Sequence, residues 1–496
     1  MDKLVAVSRL QGLAAVVVLC LALLYLARGL KDPLRSIPGP FWAKLSGAWI
    51  ILLDLSGNRS TTIHDLHLRH GPVVRIAPNQ LSFSSTRALK DIYGANSKYT
   101  KAEIYESLGQ KGIFTTRDRD EYRVAKKRVV PSFSQASIAQ MEDMIHGHVA
   151  NLVKCLDKRL NIPLDVLPWF RIFALSVVGD GFAGKSFGGL ETEKTPQLLL
   201  DLDAVFPSLW VWWMFPTTSK ILQYAPVKAI RDFLRAGDDF NQYCGNAFYE
   251  YLLHVDPAGR HDLIAKMLNE RDELKGKTSD IPRALTDKGI IDEVTNLVFA
   301  GTDSTGNTLS YLFYELSNQP KWQLRLREEL KDVPTSHRYN VVAELPILEA
   351  VVQEILRLRP AAPASLQRIT PDTGGVIDGV VVPPKTIVSC QALTIQRNPL
   401  IFPDPDTFNP QHWLDVDGPE QLETMRNHIT VFGKGARACL GRSLATMEIK
   451  LATAALITRY NVEIGGVTTH NDMEMACHFV LVPKGKQCIL KFTPVL

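Results

Sequence analysis

The sequence predicts a mainly α-helical protein with a smaller part built from short β-strands. Apolar residues recur at helical spacing from Asp287 to Ser317, which indicates a helix long enough to cross a whole domain. Residues 135–280 are also mostly helical in pattern, broken by prolines and glycines. Earlier in the chain, residues 73–76 and 81–83 form short β-like runs on either side of the turn signal Pro78-Asn79.

Composition indicates a globular protein with a large core. The 496 residues are 46% hydrophobic and 22% charged, which is ordinary for globular proteins. A net charge of +4 is too small to indicate nucleic acid as a partner. The seven cysteines are scattered and form no Cys-x-x-Cys pair, so neither a zinc site nor a disulfide framework is indicated. This usage fits a catalytic domain in a reducing compartment.

Residues 1–28 are predicted to form a membrane anchor. An uncharged apolar run extends from Leu10 to Ala27, nearly the length that a bilayer-spanning helix needs. Because Arg28, Lys31 and Arg35 follow, the positive-inside rule places the rest of the chain in the cytosol. The alternative is a cleaved signal peptide, but no clear small-residue cleavage site follows the run.

Residues 29–45 are predicted to be a basic, proline-rich hinge between this anchor and a catalytic domain over residues 46–496. Pro38 and Pro40 stiffen the chain and block helix continuation, which suits a hinge.

The middle of the predicted long helix carries residues that suit chemistry better than packing. At 1.5 Å per residue the helix would be roughly 45 Å long, and its centre reads Ala300-Gly301-Thr302-Asp303-Ser304-Thr305. Small residues would let a flat cofactor approach, and a hydroxyl bonded back to a carbonyl would make room for oxygen and water. A carboxylate there could relay protons from solvent. The alternative is a kinked helix whose hydroxyls are simply capped.

One cysteine lies in a glycine-rich loop, Phe432-Gly433-Lys434-Gly435-Ala436-Arg437-Ala438-Cys439-Leu440-Gly441, directly before a helical pattern. Gly435 and Gly441 allow turns that a side chain would forbid, or the close approach of a flat partner. The first amides of the helix and the charge of Arg437 would stabilise a thiolate at Cys439. A lone thiolate held in this way fits an axial ligand of haem iron. The alternative for Cys439 is a small buried hydrophobe.

Residues 345–359 are predicted to form another helix, with Pro346 in its first turn and Pro360 after its end. Glu354 and Arg357 lie three residues apart on one face and can form an ion pair. An exposed pair contributes only about 0.3–0.5 kcal/mol, so the spacing alone indicates little.

These motifs resemble those of the cytochrome P-450 family of haem-thiolate monooxygenases. The family signature Phe-x-x-Gly-x-Arg-x-Cys-x-Gly is complete from Phe432 to Gly441. The resemblance covers nearly the whole chain and implies a single, mainly helical, triangular domain with a small β-rich lobe, the cytochrome P-450 fold. It also implies haem b as the cofactor, with Cys439 as the axial ligand of the iron and Phe432, Gly433 and Arg437 beside it.

The resemblance also gives the centre of the long helix a role. The family's oxygen-activating motif runs Ala/Gly-Gly-x-Asp/Glu-Thr, and Ala300, Gly301 and Asp303 match it. Ser304 stands where threonine is usual and lacks the methyl group that restricts the side chain. Proton delivery is then expected from Asp303 and Ser304, with Thr305 able to share the role.

Further positions are assigned to the haem propionates and to a buried clamp. Arg368 stands where a family arginine meets a haem propionate. Tyr122 and Lys126 match the spacing of an aromatic and a basic residue that both reach a haem propionate in the family.

In the family, the pair that matches Glu354 and Arg357 is buried and bonds an arginine from a later Phe-x-Pro-x-Arg segment. Here that position is His412, which has fewer donors, so the clamp is expected to be weaker or reorganised.

In the family, the region of Ile113-Phe114 covers the substrate side of the haem, so these two side chains line the pocket or else pack in the core. The small residues from Ala361 to Ser365 resemble the family's strand beside the substrate. From its place in the order of the chain alone, His478-Phe479-Val480 is predicted to form a turn into the pocket. The run Leu209 to Phe215 contains three tryptophans and is either an access lid that dips into a membrane or a buried segment.

The implied reaction splits dioxygen and inserts one atom into a hydrophobic small molecule. The sequence features resemble those of membrane-bound microsomal enzymes, often found in fungi, and the expected setting is secondary metabolism. No Gly-x-Gly-x-x-Gly fingerprint for flavin or nicotinamide is evident, so electrons are expected from NADPH through a flavoprotein reductase at the endoplasmic reticulum membrane. A basic docking face for that reductase is predicted from Lys127, Arg128, Lys434, Arg442 and Lys450.

Two other functions stay open. A haem-thiolate isomerase or dehydratase would need no dioxygen, although it would not need Asp303 and Ser304 as a proton relay either. A membrane-anchored binding protein would lack haem altogether.

Overall fold

A computed structural model describes residues 32–495, apart from residues 109, 258, 261, 276–281 and 335–337. The predicted anchor, residues 1–28, lies outside the described residues. Among the helices of the described part, none is both long and apolar enough to cross a membrane.

Helices make up most of the described chain, as predicted. In order they are α1 (Phe41–Leu45), α2 (Ala48–Leu55), α3 (Arg59–His70), α4 (Thr86–Tyr93), α5 (Arg119–Val129), α6 (Gln135–Gln140), α7 (Glu142–Asp157), α8 (Leu167–Val178), α9 (Gly189–Thr192), α10 (Gln197–Met214), α11 (Pro216–Leu222), α12 (Lys228–His254), α13 (Leu263–Lys275), α14 (Asp287–Asn318), α15 (Pro320–Leu330), α16 (Tyr339–Ala343), α17 (Pro346–Leu358), α18 (Ala392–Ile395), α19 (Gln411–Leu414), α20 (Gly418–His428) and α21 (Arg442–Ile457).

The strands are short and lie in small sheets. They are β1 (Val73–Ala77), β2 (Gln80–Phe83), β3 (Thr100–Lys101), β4 (Pro163–Asp165), β5 (Arg368–Ile369), β6 (Gly375–Ile377), β7 (Val380–Val382), β8 (Ile387–Cys390), β9 (Tyr460–Ile464), β10 (Met475–Cys477), β11 (Leu481–Pro483) and β12 (Ile489–Pro494).

The largest sheet has the order β1-β2-β8-β5-β3, in which only β2 and β8 run parallel. The others are β4-β12-β9, β10-β11 and β6-β7. The strands predicted at residues 73–76 and 81–83 are confirmed as the antiparallel pair β1-β2, and β6-β7 is a second antiparallel pair. Together these elements confirm the predicted mainly helical fold with a smaller β-rich part.

The central helix α14 organises the core. Its 32 residues span about 48 Å, and they begin where Thr286 caps the first turn by accepting a hydrogen bond from Gly289 N at 3.2 Å. The helix ends before Pro320, which cannot continue it. Most of α14 is buried, and its closest packing partner is α8.

Two glycines of α14 explain that close packing. A Cβ atom on Gly301 would collide with the side chain of Val178, and one on Gly306 would lie 2.6 Å from Arg171 Cα. Gly301 therefore serves the contact with α8 and also lines the cavity described below, whereas Gly306 serves the contact with α8.

Part of the predicted hinge lies against the β-rich part. The backbone N of Arg75 in β1 donates to Pro38 O at 2.8 Å, and the guanidinium of Arg75 pairs with Asp32. A Cβ atom on Gly39 would collide with the carbonyl of Arg75, so glycine is required for this approach.

Candidate active site

A large cavity lies between the middle of α14 and the loop that precedes α21. It holds about 1630 Å³ of space free of protein atoms, its open mouth included, which is more than a single drug-sized ligand needs. One wall carries Ala300, Ser304 and Thr305, and another carries Cys439. Residues 139 positions apart in the sequence thus face one space.

The cysteine loop is held by its backbone. Cys439 N donates to Phe432 O at 2.7 Å, and a short 3-10 turn covers Gly435–Arg437. Gly433 and Gly435 have φ values of 65° and 67°, which favour glycine, and a Cβ on Gly435 would also collide with the carbonyl of Tyr93. Gly441 differs from the expectation, because its φ of −77° is ordinary.

Cys439 is the exposed member of the six described cysteines, and it lines the cavity, where the surrounding protein still shields its sulfur from bulk water. Burial raises the pKa of its thiol, while hydrogen bonds from the backbone amides of Gly441 and Arg442 and the charge of Arg442 lower it. These amides belong to the start of α21, so the sequence expectation of helix-start donors beside the sulfur agrees with the geometry.

Three cations meet at one edge of the cavity. Lys101, Arg368 and Arg437 all line it, and none of them is ion-paired with a described acidic residue. Burial and the charges of Arg368 and Arg437 hold the pKa of Lys101 well below its ordinary value, and burial lowers the pKa of Arg437 to about 10. The Nη1 atom of Arg437 has no hydrogen-bond partner among the described residues. Such a cluster is suited to anionic groups of a ligand.

Tyr122 and Lys126 meet one carbonyl of the cysteine loop. Tyr122 OH donates to Ala436 O at 2.7 Å and Lys126 Nζ donates to the same oxygen at 2.8 Å. The Arg437 guanidinium stacks on the Tyr122 ring, 3.3 Å from its centroid. Tyr122 also lines the cavity, whereas Lys126 lies outside the lining.

The carboxylate of Asp303 does not line the cavity. Arg171 Nε of α8 donates to Asp303 Oδ1 at 2.8 Å, and Arg171 Nη2 lies 2.7 Å from Asp203 Oδ1 of α10. Burial raises the pKa of Asp303, and the charge of Arg171 opposes that shift.

The hydroxyls of α14 are bonded back along the helix. Ser304 Oγ donates to Ala300 O at 2.6 Å, and Thr308 Oγ1 donates to Ser304 O at 2.7 Å. Thr305 is buried and lines the cavity beside Ser304. Both hydroxyl residues named in the sequence analysis therefore face the same space as Cys439.

Glu354 and Arg357 form a fully buried, bidentate pair with both hydrogen bonds at 2.8 Å. Glu354 also accepts from Asn409 N at 2.8 Å and from Trp413 Nε1 at 3.0 Å. Burial opposes ionisation of Glu354, but the hydrogen bonds from Arg357 and the close approach of His412 bring its pKa below the ordinary value.

His412 takes part in this clamp through its two ring nitrogens. Its Nδ1 lies 3.3 Å from Glu354 Oε1, and its Nε2 lies 2.8 Å from Pro403 O. The hydrogen bond from Trp413 Nε1 to Glu354 adds a donor to the clamp that the sequence analysis did not name.

The predicted pocket segments reach the cavity. Phe114 lies against Phe479 and Phe299, with ring centroids 5.6 Å and 6.4 Å apart. Ile113, Ala361, Ala362 and Val480 also line the cavity.

The sequence analysis missed Lys101, Arg171 and Glu293. Lys101 sits in a two-residue strand and donates to Phe114 O, and its only sequence signal is a lysine in a mixed segment. The partners of Arg171 come from distant helices, and Glu293 holds the pocket loop by accepting from Ile113 N at 2.9 Å.

The predicted docking face is corrected at Lys450. Its side chain is 2% exposed, pairs with Glu349 Oε2 at 2.6 Å and bonds Ala343 O. Position 450 lies on a helix that is buried on nearly all sides, so this lysine cannot meet a partner. Lys127 and Arg442 are exposed and Lys434 is half-buried, whereas Arg128 is largely buried and pairs with Glu270.

A sulfur donor on one wall and three cations without acidic partners among the described residues at the edge fit an iron porphyrin with carboxylate groups. The comparison with known families agrees. A family model described as "Cytochrome P450" matches residues 37–490. The chain belongs to the cytochrome P450 family, whose members bind haem through a cysteine thiolate.

Among its relatives are fungal monooxygenases. The chain is 30% identical to "Cytochrome P450 monooxygenase tazI" of Aspergillus terreus, over 96% of this chain and 98% of that protein. It is 28% identical to a "Pisatin demethylase" of Fusarium vanettenii, over 92% and 90% of the two chains. It is 29% identical to "Cytochrome P450 monooxygenase hepC" of Aspergillus oryzae, over 88% of each chain. The protein is therefore an oxidoreductase that incorporates oxygen from dioxygen.

Proposed function

We propose that the protein hydroxylates, or otherwise oxidises, a hydrophobic small molecule of secondary metabolism. One observation supports this proposal most strongly. Cys439 lies across one largely apolar cavity from the face of α14 that carries Ala300, Ser304 and Thr305. The names of the fungal relatives support it, since tazI and hepC are called monooxygenases and another relative is called a demethylase.

The cofactor proposed is haem b, with the Cys439 thiolate as the axial ligand. When bound, it supplies the activation of dioxygen. Arg368, Arg437 and Lys101 would hold its carboxylate groups, because these cations line the cavity and lack acidic partners among the described residues. Phe432 and Gly433 line the cavity beside the sulfur. Tyr122 and Lys126 would hold the cysteine loop in position, because both donate hydrogen bonds to Ala436 O.

The proton needed for oxygen activation is proposed to pass over hydroxyls of α14. Ser304 and Thr305 line the cavity, so either hydroxyl can present a proton there. Asp303 would exchange protons with solvent only after its ion pair with Arg171 loosens.

The substrate is proposed to be apolar where it lies in the cavity, because Phe114, Phe299 and Phe479 line the cavity and contact one another there. Aromatic walls of this kind bind the apolar surface of a ligand favourably and exclude water. The resulting substrate class is broad, so terpenoid, polyketide and alkaloid skeletons are all candidates.

The endoplasmic reticulum membrane is the proposed location, with residues 1–28 as the anchor and the catalytic domain in the cytosol. Exposed aromatic side chains support it: Trp213 and Phe215 are 49% and 53% exposed, and Phe41 and Trp42 of α1 are 58% and 66% exposed. Aromatic side chains of this kind suit the membrane interface.

The deciding experiment supplies membranes that contain the protein with NADPH, a flavoprotein reductase and isotope-labelled dioxygen, and offers terpenoid, polyketide and alkaloid intermediates. The expected product gains one labelled oxygen atom, detected by mass, and the Cys439→Ser variant forms none. Product that forms without dioxygen and reductase would favour an isomerase or dehydratase instead. A reduced carbon monoxide spectrum without the red-shifted thiolate band would favour a binding protein without haem.

A further inference from the structure

A second cavity, which we call the distal cavity, adjoins the candidate active site. It holds about 590 Å³ of space free of protein atoms, its opening to solvent included. Tyr105 and Phe479 line both cavities, so the two cavities meet at these two side chains. Leu209 and Trp210 of α10 make most of the remaining wall apolar.

Arg59, the first residue of α3, lines this apolar space although its side chain is only 4% exposed. Its Nη1 donates to Asp54 Oδ2 at 2.6 Å. Its Nε and Nη2 have no hydrogen-bond partner among the described residues. A buried donor without a partner is costly, and a guanidinium carries five N–H donors in a rigid fork.

A second polar group without a partner lies in the same cavity. Ser365 is 6% exposed, lines the distal cavity, and its Oγ has no partner among the described residues. Arg59 and Ser365 come from parts of the chain about 300 residues apart, yet both leave hydrogen-bonding capacity beside one apolar space. This is the pattern of a ligand site with a few polar groups that fix orientation.

The charge of the site limits what it can bind. Asp54 is 7% exposed at its side chain and already balances the charge of Arg59. A second carboxylate would bring an uncompensated negative charge into a buried, apolar site, which is unfavourable. An uncharged oxygen that accepts hydrogen bonds meets no such penalty and satisfies the open donors.

We propose that Arg59 and Ser365 bind an uncharged carbonyl or hydroxyl oxygen at the end of the substrate remote from Cys439. This rests on the proposed function, in which the substrate lies above Cys439. The site then selects substrates that are apolar near the cysteine and carry one oxygen function at a fixed distance from the oxidised carbon.

The test uses N-alkylimidazoles of graded chain length as probes for the full-length holoprotein in detergent. The imidazole binds the haem iron and shifts its absorbance, and the tail ends in a methyl, hydroxyl, methyl ketone or carboxylate group. We expect that, at one optimal length, the hydroxyl and ketone probes bind roughly tenfold more tightly than the methyl probe.

Two variants locate this preference. The double variant Arg59→Met, Asp54→Leu removes the donors without leaving a buried acid unpaired, and it should abolish the preference. Ser365→Ala should reduce it severalfold. The matched control Arg75→Met, Asp32→Leu removes another buried arginine pair, which lines neither cavity, and should keep the preference.

The outcomes separate this inference from the proposed function. Absence of the imidazole-induced shift, together with no red-shifted carbon monoxide band, contradicts the proposed function itself. A normal shift with equal affinity for methyl, hydroxyl and ketone tails at every length contradicts the inference alone. Tightest binding of the carboxylate tail would also overturn it, because the site would then recognise an anion.

Discussion

Arg171 Nε donates a hydrogen bond to Asp303 Oδ1 at 2.8 Å. This bond places the carboxylate of the predicted oxygen-activating motif on the α8 side of the central helix, away from the cavity that Ser304 and Thr305 line. The same guanidinium also contacts Asp203 of α10, so three helices meet at one buried charge network. The position of Asp303 therefore depends on Arg171.

Replacing Arg171 by methionine should destabilise the protein by about 3–5 kcal/mol, because it leaves the buried Asp303 without a counter-charge. The free energy of unfolding from urea titration, followed by circular dichroism, measures this change. Lys185→Met is the control, since it breaks the more exposed pair with Glu250 and should cost less than about 1 kcal/mol. Equal effects of the two substitutions would contradict a buried network.

Removing the hydroxyl of Ser304 should raise peroxide release per NADPH consumed. Ser304 Oγ is within hydrogen-bond distance of Ala300 O at 2.6 Å and lines the cavity, so its loss removes one carrier of the proton. The measurement compares peroxide and product per NADPH for Ser304→Ala and for Thr305→Val in a substrate-saturated assay. Unchanged product yield in Ser304→Ala with a loss in Thr305→Val would assign proton delivery to Thr305.

The Glu354–Arg357 pair should matter more for stability than the neighbouring histidine. Glu354→Gln leaves the fully buried Arg357 unpaired, for which we expect a loss of about 3–5 kcal/mol and weaker haem retention. His412→Gln should cost only about 1 kcal/mol, because Trp413 and the backbone of Asn409 still bond Glu354. Urea unfolding and haem content per protein measure both effects. A larger loss for His412→Gln would show that the histidine carries the clamp.

Local sequence was sufficient where structure and chemistry are both local. The cysteine loop lies within ten residues, and the long helix follows from periodicity, so its predicted span of 287–317 differs by one residue from the observed end at Asn318. What could not be predicted depends on which side chains of distant segments meet. Val178 packs against Gly301, and Lys450 lies on a helix that is buried almost all round. The sequence gives no sign of which helix pairs with Asp303, since Arg171 lies 132 positions away.

Neutralising the exposed cations near the cysteine loop should slow electron transfer from a flavoprotein reductase, and more so at low salt. The triple variant Lys127→Gln, Lys434→Gln, Arg442→Gln removes three charges from this face, and salt screens such interactions. Stopped-flow reduction at low and high ionic strength measures the rate. The charge-matched control Lys220→Gln, Lys228→Gln, Lys385→Gln alters exposed lysines elsewhere. Equal reduction rates in both triple variants would contradict the prediction that the reductase docks on this face.

Stability should fall as pH rises through neutrality because of Glu293. This carboxyl is 5% exposed and accepts from Ile113 N at 2.9 Å. Burial raises its pKa to about 7, the hydrogen bond from Ile113 opposes the rise, and the neighbouring Asp292 adds to it. The folded state therefore binds a proton more tightly than the unfolded state, whose ordinary value is 4.5.

Glu293 therefore stabilises the folded state fully below pH 4.5, the ordinary pKa of this carboxyl, and this stabilisation is lost as pH rises through about 7. The total loss in the free energy of unfolding is up to about 3 kcal/mol. Glu293→Gln keeps an acceptor for Ile113 N but cannot titrate, so between about pH 5 and pH 8 its free energy of unfolding should fall less steeply than that of the unaltered protein. Urea unfolding of the holoprotein at several pH values tests this. The Ile113 loop lines the cavity, so binding of an alkylimidazole should weaken over the same range in the unaltered protein and less in the variant. Parallel pH curves for the two proteins would show that Glu293 does not titrate in this range.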